Sequence, residues 1–537
     1  MRTLHAADYF LRSAARHPDR PALWVDGTTH TYRALQAHAQ KLAARLRAIE
    51  GPVCATLGER SLTAYCAPLA CMLAGKIHVP LGASFPEARM ANILERTRPA
   101  VLVCDEPGRK HLPGLLARLA FPVVVMSPES DLDEVSPPPP LPFAASAPAA
   151  SELPVADADI AYVLFTSGST GQPKGVAVGH AALCAYVEAV LARYPQLDER
   201  QRCTQFFEPT FDLSLHDMFV TWAAGACLYS IPRSVLMMPT GFVNEHRLTV
   251  WFSVPSLAAT LQRYRLLDAG ALPTLKLALF CGEALPGPLA RTWLAAAPHA
   301  RCENLYGPTE ATIACTAHRV GVQDGERTVV PIGTPLAGME IVTTRGDGSR
   351  CEPGETGELW LGGAQLARGY WGDPEQTAAR FVEARFAGLQ ETRWYRTGDL
   401  ARIEADGTAL FCGRADRQIK LRGYRIELQE VEAHLREACS TPEHPAQVAV
   451  VPVFAHPGEA ASGIAAFVVR AQLDVREAFS AMKLRLPAYM VPSEIHALDA
   501  LPLNSNGKTD YAALAARLQA KPPAARTHRS TDKARVE

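Results

Sequence analysis

The sequence predicts an α/β protein: a large N-terminal domain of two α/β layers plus a small β-barrel, followed by a smaller α+β C-terminal domain. Three features predict it. Apolar strands alternate with helical patterns over the first half, Asp-Gly and Pro-Gly pairs crowd a middle stretch, and a compact helix–strand–strand–helix pattern closes the chain.

Taken in order, helical periodicity covers Leu35 to Ile49 and Glu87 to Arg96, and strands are expected at Val101 to Cys104 and Val123 to Met126. The segment Val135 to Pro154, with prolines at 137 to 140, suits neither a helix nor a central strand and reads as a surface connection between the layers. Strands resume at Ile160 to Phe165, Trp251 to Val254 and Leu277 to Phe280, apolar enough to be buried on both faces. From Pro331 to Phe411, turns such as Arg345-Gly346-Asp347-Gly348 and Asp406-Gly407 separate short runs, as in the hairpins of a barrel or small antiparallel sheet. After Gly423 come a helix over Leu428 to Ala438, strands over Val448 to Phe454 and Gly463 to Val469, and a helix after Val475. That makes a second domain of about 100 residues. From Ala520 to Glu537 little can be buried, and disorder is expected.

Among the 537 residues, 54 Lys and Arg offset 55 Asp and Glu. A net charge of −1 provides no general attraction to nucleic acid or an anionic membrane. Gly, Pro or charge interrupts every apolar stretch before the roughly 20 residues of a membrane span. Met1 to His5 lead into a globular helix pattern, so no signal peptide is expected. Thirteen cysteines without a CxxC pair suit reduced thiols in a cytoplasmic protein.

The strongest local signal runs from Leu164 to Gly175, directly after an apolar strand. Its glycines, Gly168 among them, let backbone N–H groups approach a phosphate. Thr166, Ser167, Ser169 and Thr170 add hydroxyl donors, and Lys174 adds charge. The spacing is not GxxxxGK[ST], so P-loop NTPase chemistry does not follow.

This loop resembles the phosphate-binding core of the adenylate-forming superfamily, which contains nonribosomal peptide synthetase adenylation domains, acyl-CoA synthetases and firefly-type luciferases. The resemblance covers about residues 1 to 515, through Phe211-Asp212-Leu213-Ser214, Asn304 to Glu310, Gly357 to Leu359, Ala367 to Trp371, Tyr395 to Leu400, Gly413 to Lys420, Leu486 to Pro492 and Asn506-Gly507-Lys508. It implies ATP and Mg2+ as cofactors. Tyr306 would lie against the adenine, Thr309 on the α-phosphate, Glu310 on magnesium and Asp399 on the ribose, with Arg414 beside it. Gly282, Asn304 and Gly307 fall in the same nucleotide site. Lys508 would be a mobile catalytic cation bridging the substrate carboxylate and the α-phosphate; Asn504 and Tyr511 nearby depart from the family pattern, where Thr and Arg are commoner. Asp416 would be a hinge dividing a domain of residues 1–415 from a mobile domain of 416–516, before a tail of 517–537. Rotation there would withdraw Lys508 and bring the Lys420 to Gly423 loop to the site.

The resemblance also bears on the acid that is activated. An aspartate at Asp212 would pair with an α-ammonium, because a buried carboxylate without a cation is costly. The family's specificity positions fall on Asp212, Leu213, His216, Phe252, Leu279, Cys281, Leu305, Ile313, Ala314 and Lys508. This largely apolar set disfavours charged side chains and is similar to that of free-standing L-proline adenylating enzymes. His216 and Cys281 depart from the proline pattern and keep Ala, Ser and Val open. No carrier or condensation motif appears, so the expected acceptor is a separate phosphopantetheinyl carrier protein. Rival readings are an acyl- or aryl-CoA ligase, which would need no ammonium on its acid, and an inactive nucleotide-binding regulator, against which Lys174, Glu310, Asp399 and Lys508 argue.

Overall fold

The computed structural model describes residues 5–128, 159–168, 172–440, 446–454, 461–469, 474–504 and 508–519. The expected surface connection, Ser169 and Thr170 of the phosphate loop, and the tail beyond 519 lie outside the described residues. A helix over Tyr511–Gln519 carries regular structure past residue 516, where the sequence placed the start of the tail.

Two sheets build the large domain. In the nine-stranded sheet, Pro21–Val25, Cys227–Ser230, Arg202–Gln205, Val250–Ser253, Leu277–Phe280 and Arg301–Tyr306 are neighbours and parallel. In the seven-stranded sheet, Val124–Met126, Val101–Cys104, Val53–Leu57, Ile77–Leu81 and Ile160–Thr166 form the parallel part. The expected strands therefore hold, as does their burial on both faces.

The main core lies between these sheets. It joins Tyr162 and Leu164 of one sheet to Leu228 and Phe252 of the other, through the helices His180–Arg193 and Asp212–Ala223. Nearly every residue of the second helix is buried, as expected where layers press on both sides.

The turn-rich middle forms a five-stranded antiparallel sheet of Met339–Thr344, Thr356–Gly363, Phe381–Glu383, Arg393–Ile403 and Ala409–Arg414. The smaller domain opens with a hairpin of Gln418–Leu421 and Tyr424–Glu427. Its two turn residues, Arg422 and Gly423, have φ of 54° and 81°, the geometry of a tight hairpin turn that follows strand twist. A helix over Leu428–Cys439, a three-stranded sheet and the helices Val475–Lys483 and Tyr511–Gln519 complete it. All thirteen cysteines are free thiols, and only Cys412 is exposed. No described helix is long and apolar enough to cross a membrane.

Candidate active site

The carboxyl ends of parallel strands are where an α/β sheet leaves a crevice, and the described cavity lies there. Ile160–Thr166 delivers Thr166 and Ser167, Leu277–Phe280 delivers Cys281 and Gly282, and Arg301–Tyr306 delivers Gly307 and Thr309. The start of the helix Asp212–Ala223 contributes Asp212 and Leu213, while Asp399 and Arg414 enter from the antiparallel sheet.

Asp212 is buried, and no salt bridge reaches it among the described residues. Burial pushes its carboxyl up to about 6, against a hydrogen bond from Thr309. No salt bridge offsets that burial, and Lys420 in the same cavity lowers the carboxyl less than burial raises it. Thr166 is similarly incomplete, its buried Oγ1 having no partner, as suits a wall built for a phosphate.

Glu310, fully buried behind the cavity, collects positive charge. Lys174 Nζ lies 3.2 Å from its Oε1, the Tyr370 hydroxyl donates to Oε1 at 2.9 Å, and Arg425 Nη1 donates to its two oxygens at 3.0 and 2.9 Å. Burial alone would raise this carboxyl, but Arg425 and Lys174 outweigh it and hold Glu310 well below the ordinary carboxylate range. Burial, reinforced by Arg425, lowers Lys174 to about 8, against the pull of Glu310. Glu310 has the hard oxygens that Mg2+ prefers, yet Arg425 takes both. In this arrangement the site does not fit the metal.

Arg425 belongs to the small domain's hairpin, which closes over the cavity. Ser167 Oγ donates to the Arg425 carbonyl at 2.7 Å and accepts from Glu427 N at 3.2 Å. Glu430 accepts from Gly168 N at 3.1 Å and pairs with Arg89 at 2.7 Å, both side chains being buried. Gly423 N donates to Glu283 at 2.7 Å. A Cβ on Gly423 would meet Val254 at 2.5 Å, so close approach as well as positive φ calls for glycine here.

Of the residues singled out from sequence, Thr166, Ser167, Asp212, Leu213, Cys281, Gly282, Gly307, Thr309, Ile313, Asp399 and Arg414 line one cavity. Tyr306 and Arg414 both bond Asp399, Arg414 at 2.6 Å, and Arg414 also holds Asp416 at 2.8 Å. His216, Phe252, Leu279, Leu305 and Ala314 are buried behind that wall. The His216 ring lies tilted with its centroid 4.2 Å from that of Phe252, bonds Tyr186 at 2.6 Å and stays neutral because burial lowers it to about 3.

Two of the singled-out residues stand away from the cavity in this arrangement. Asn304 does not line it: its amide donates at 2.8 Å to the Pro331 carbonyl. Lys508 is exposed and does not line the cavity; its backbone N–H bonds Asn504 and its chain neighbours are local. In its stead Lys420, Gly423, Tyr424 and Arg425 reach the site. Sequence reasoning missed Arg425, Tyr370, Glu430 and Arg89. Arg425 and Glu310 are 115 positions apart, and a charged residue on a short strand carries no local sign of so distant a partner.

The family described as "AMP-binding enzyme" matches residues 10–371. The chain is 31% identical over 545 residues to the L-proline--[L-prolyl-carrier protein] ligase of Pseudomonas fluorescens, covering 97% of this chain and 100% of that protein. It is 36% identical over 532 residues to phosphinothricin tripeptide synthetase PhsC of Streptomyces viridochromogenes, covering 96% of this chain but 45% of that one. Among solved structures, the Vibrio cholerae adenylation domain AlmE in complex with glycyl-adenosine-5'-phosphate matches with a TM-score of 0.84 and 30% identity, over 96% of this chain and 98% of that one.

Proposed function

The chain belongs to the AMP-binding enzyme family and is an AMP-forming ligase, and on that premise we propose that it activates a small neutral amino acid, best L-proline, and passes it to a carrier protein thiol. Asp212 carries this reading. It is a buried carboxylate at the cavity with no salt bridge among the described residues, and the α-ammonium of an amino acid would supply a direct partner. The prolyl-carrier ligase supports proline, and the apolar wall of Leu213, Cys281 and Ile313 supports a small neutral side chain.

In the first half-reaction the amino acid carboxylate attacks the α-phosphorus of ATP, giving aminoacyl-AMP and pyrophosphate. Thr166, Ser167 and Lys174 would hold phosphate oxygens, Thr309 the α-phosphate, and Asp399 the ribose hydroxyls beside Tyr306 and Arg414. Lys508 would stabilise the charge that develops as pyrophosphate departs. It can do so only after the small domain turns about Asp416, which also withdraws Arg425. Only then would Glu310 Oε2 be free to help hold Mg2+, Oε1 keeping Lys174 and Tyr370; the metal would neutralise phosphate charge. The hairpin-closed arrangement suits the second half-reaction, thioester formation, in a cytoplasmic enzyme with a separate phosphopantetheinyl carrier.

His216 and Cys281, polar groups near an otherwise apolar pocket, favour a second reading with Ala, Ser or Val as substrate. Amino-acid-dependent pyrophosphate exchange across the proteinogenic set tests both. Exchange confined to proline or another small neutral amino acid supports the proposal, and equal exchange with lysine and proline refutes it.

A further inference from the structure

A second hollow adjoins the first. A cleft of about 1290 Å³ runs between the large domain and the small domain's hairpin. Phe211, Tyr424 and Tyr489 line both spaces, so they form the neck that joins them. Tyr424 stacks on Tyr489 at 3.6 Å and meets the Phe211 ring edge-on at 4.4 Å. On the cleft side of this neck sits the carboxylate of Glu208, three residues before Phe211, whose N–H donates to the Glu208 carbonyl at 2.9 Å.

Glu208 is partly buried and has no cation paired with it among the described residues. The Ser84 hydroxyl donates to its Oε2 at 3.4 Å, and it shares a hydrogen bond with the Tyr424 hydroxyl. Arg60 acts on it from the far side, Tyr489 faces it, and Arg422 and Glu283 line the same cleft. Burial outweighs Arg60 and raises its carboxyl above the ordinary range. A carboxylate held at a passage by hydroxyls, with no salt bridge to spend its charge on, is free to accept a proton.

We propose that Glu208 is the proton acceptor for the thiol in thioester formation. The inference rests on the proposed function, in which a carrier thiol must reach the adenylate, and this cleft opens onto the neck of that site. The thiol sulfur bonds to the acyl carbon, its proton passes to a Glu208 carboxylate oxygen, and the acyl C–O bond breaks with its electron pair leaving on the AMP phosphate. Glu208 then returns the proton to water in the cleft.

A thiol of ordinary acidity, pKa about 8.5, is roughly 3% ionised at pH 7 and mostly ionised at pH 9. A lost proton acceptor therefore costs up to about thirtyfold at pH 7 and almost nothing at pH 9. The test is a single turnover: the full-length enzyme is loaded with adenylate from ATP and an amino acid that supports exchange, then mixed with pantetheine, and thioester appearance is followed from pH 6.5 to 9. Glu208→Gln should show the large deficit at pH 7 that closes by pH 9, while Glu208→Asp, which keeps a carboxylate at this place, should recover part of the pH 7 rate. A Glu208→Gln deficit that is absent, or equal at both pH values, overturns the inference and makes Glu208 at most a strut for Tyr424. Failure of every amino acid to form an adenylate instead overturns the proposed function, and this inference with it.

Discussion

The small domain presents two contrasting regions to the rest of the molecule. The hairpin Gln418–Glu427 is pressed into the site, its Arg425 buried against Glu310, and the adjoining helix is pinned by the buried Arg89–Glu430 pair. Lys508 stands in solvent, its backbone bonded to Asn504. On the proposed function these two cations would take turns at the same cavity. The difference teaches that the two half-reactions would share one floor, built on the large domain, and exchange its cover.

The sharpest way to break this comparison is Lys508→Ala. Adenylate formation, read by pyrophosphate exchange, should fall by roughly two to four powers of ten. Transfer from preloaded adenylate should suffer far less, and an equal loss in both steps would end the division of labour. The shared floor is tested by Asp212→Ala. Losing a charge-assisted contact of about 2–3 kcal/mol should raise the amino acid KM about a hundredfold, with the KM for ATP little changed.

The same carboxylate sets a pH dependence. Asp212 is raised to about 6 and must be ionised to hold an ammonium, so amino acid affinity should be present above that value and lost below it. KM measured by exchange should climb about tenfold from pH 7 to pH 5, and a flat profile would remove Asp212 as the ammonium partner. The last test concerns the cover. Glu430→Gln keeps a hydrogen bond to Gly168 but takes the buried ion pair from Arg89, which should cost the closed arrangement about 3 kcal/mol and slow transfer by up to about a hundredfold. Pyrophosphate exchange in that variant should hold or rise, because the competing arrangement gains population.

Much of this was legible in the residues. The strands at Val101–Cys104 and Leu277–Phe280 coincide with the expected runs, because an apolar run bounded by turns has few other ways to be buried. The cavity-lining set from Thr166 to Arg414 was also readable, since it clusters in short strings at strand ends. The side chains behind the wall were less so: the distance between His216 and the cavity depends on how the ring is held by Tyr186 and Phe252, which come from another helix and another sheet. Asn304 stands in a string beside lining residues, yet its amide is taken by the Pro331 carbonyl, a partner that no local pattern announces.

The amino-acid sequence by itself determined the α/β architecture, the order of the layers and many of the residues that line the cavity, since these follow from local periodicity, turn chemistry and short contiguous strings. Only the tertiary structure decided which cation meets Glu310 and what stands at the neck of the cleft. Arg425, Glu430 and Glu208 acquire their partners across more than a hundred positions, through domain packing that no local pattern encodes.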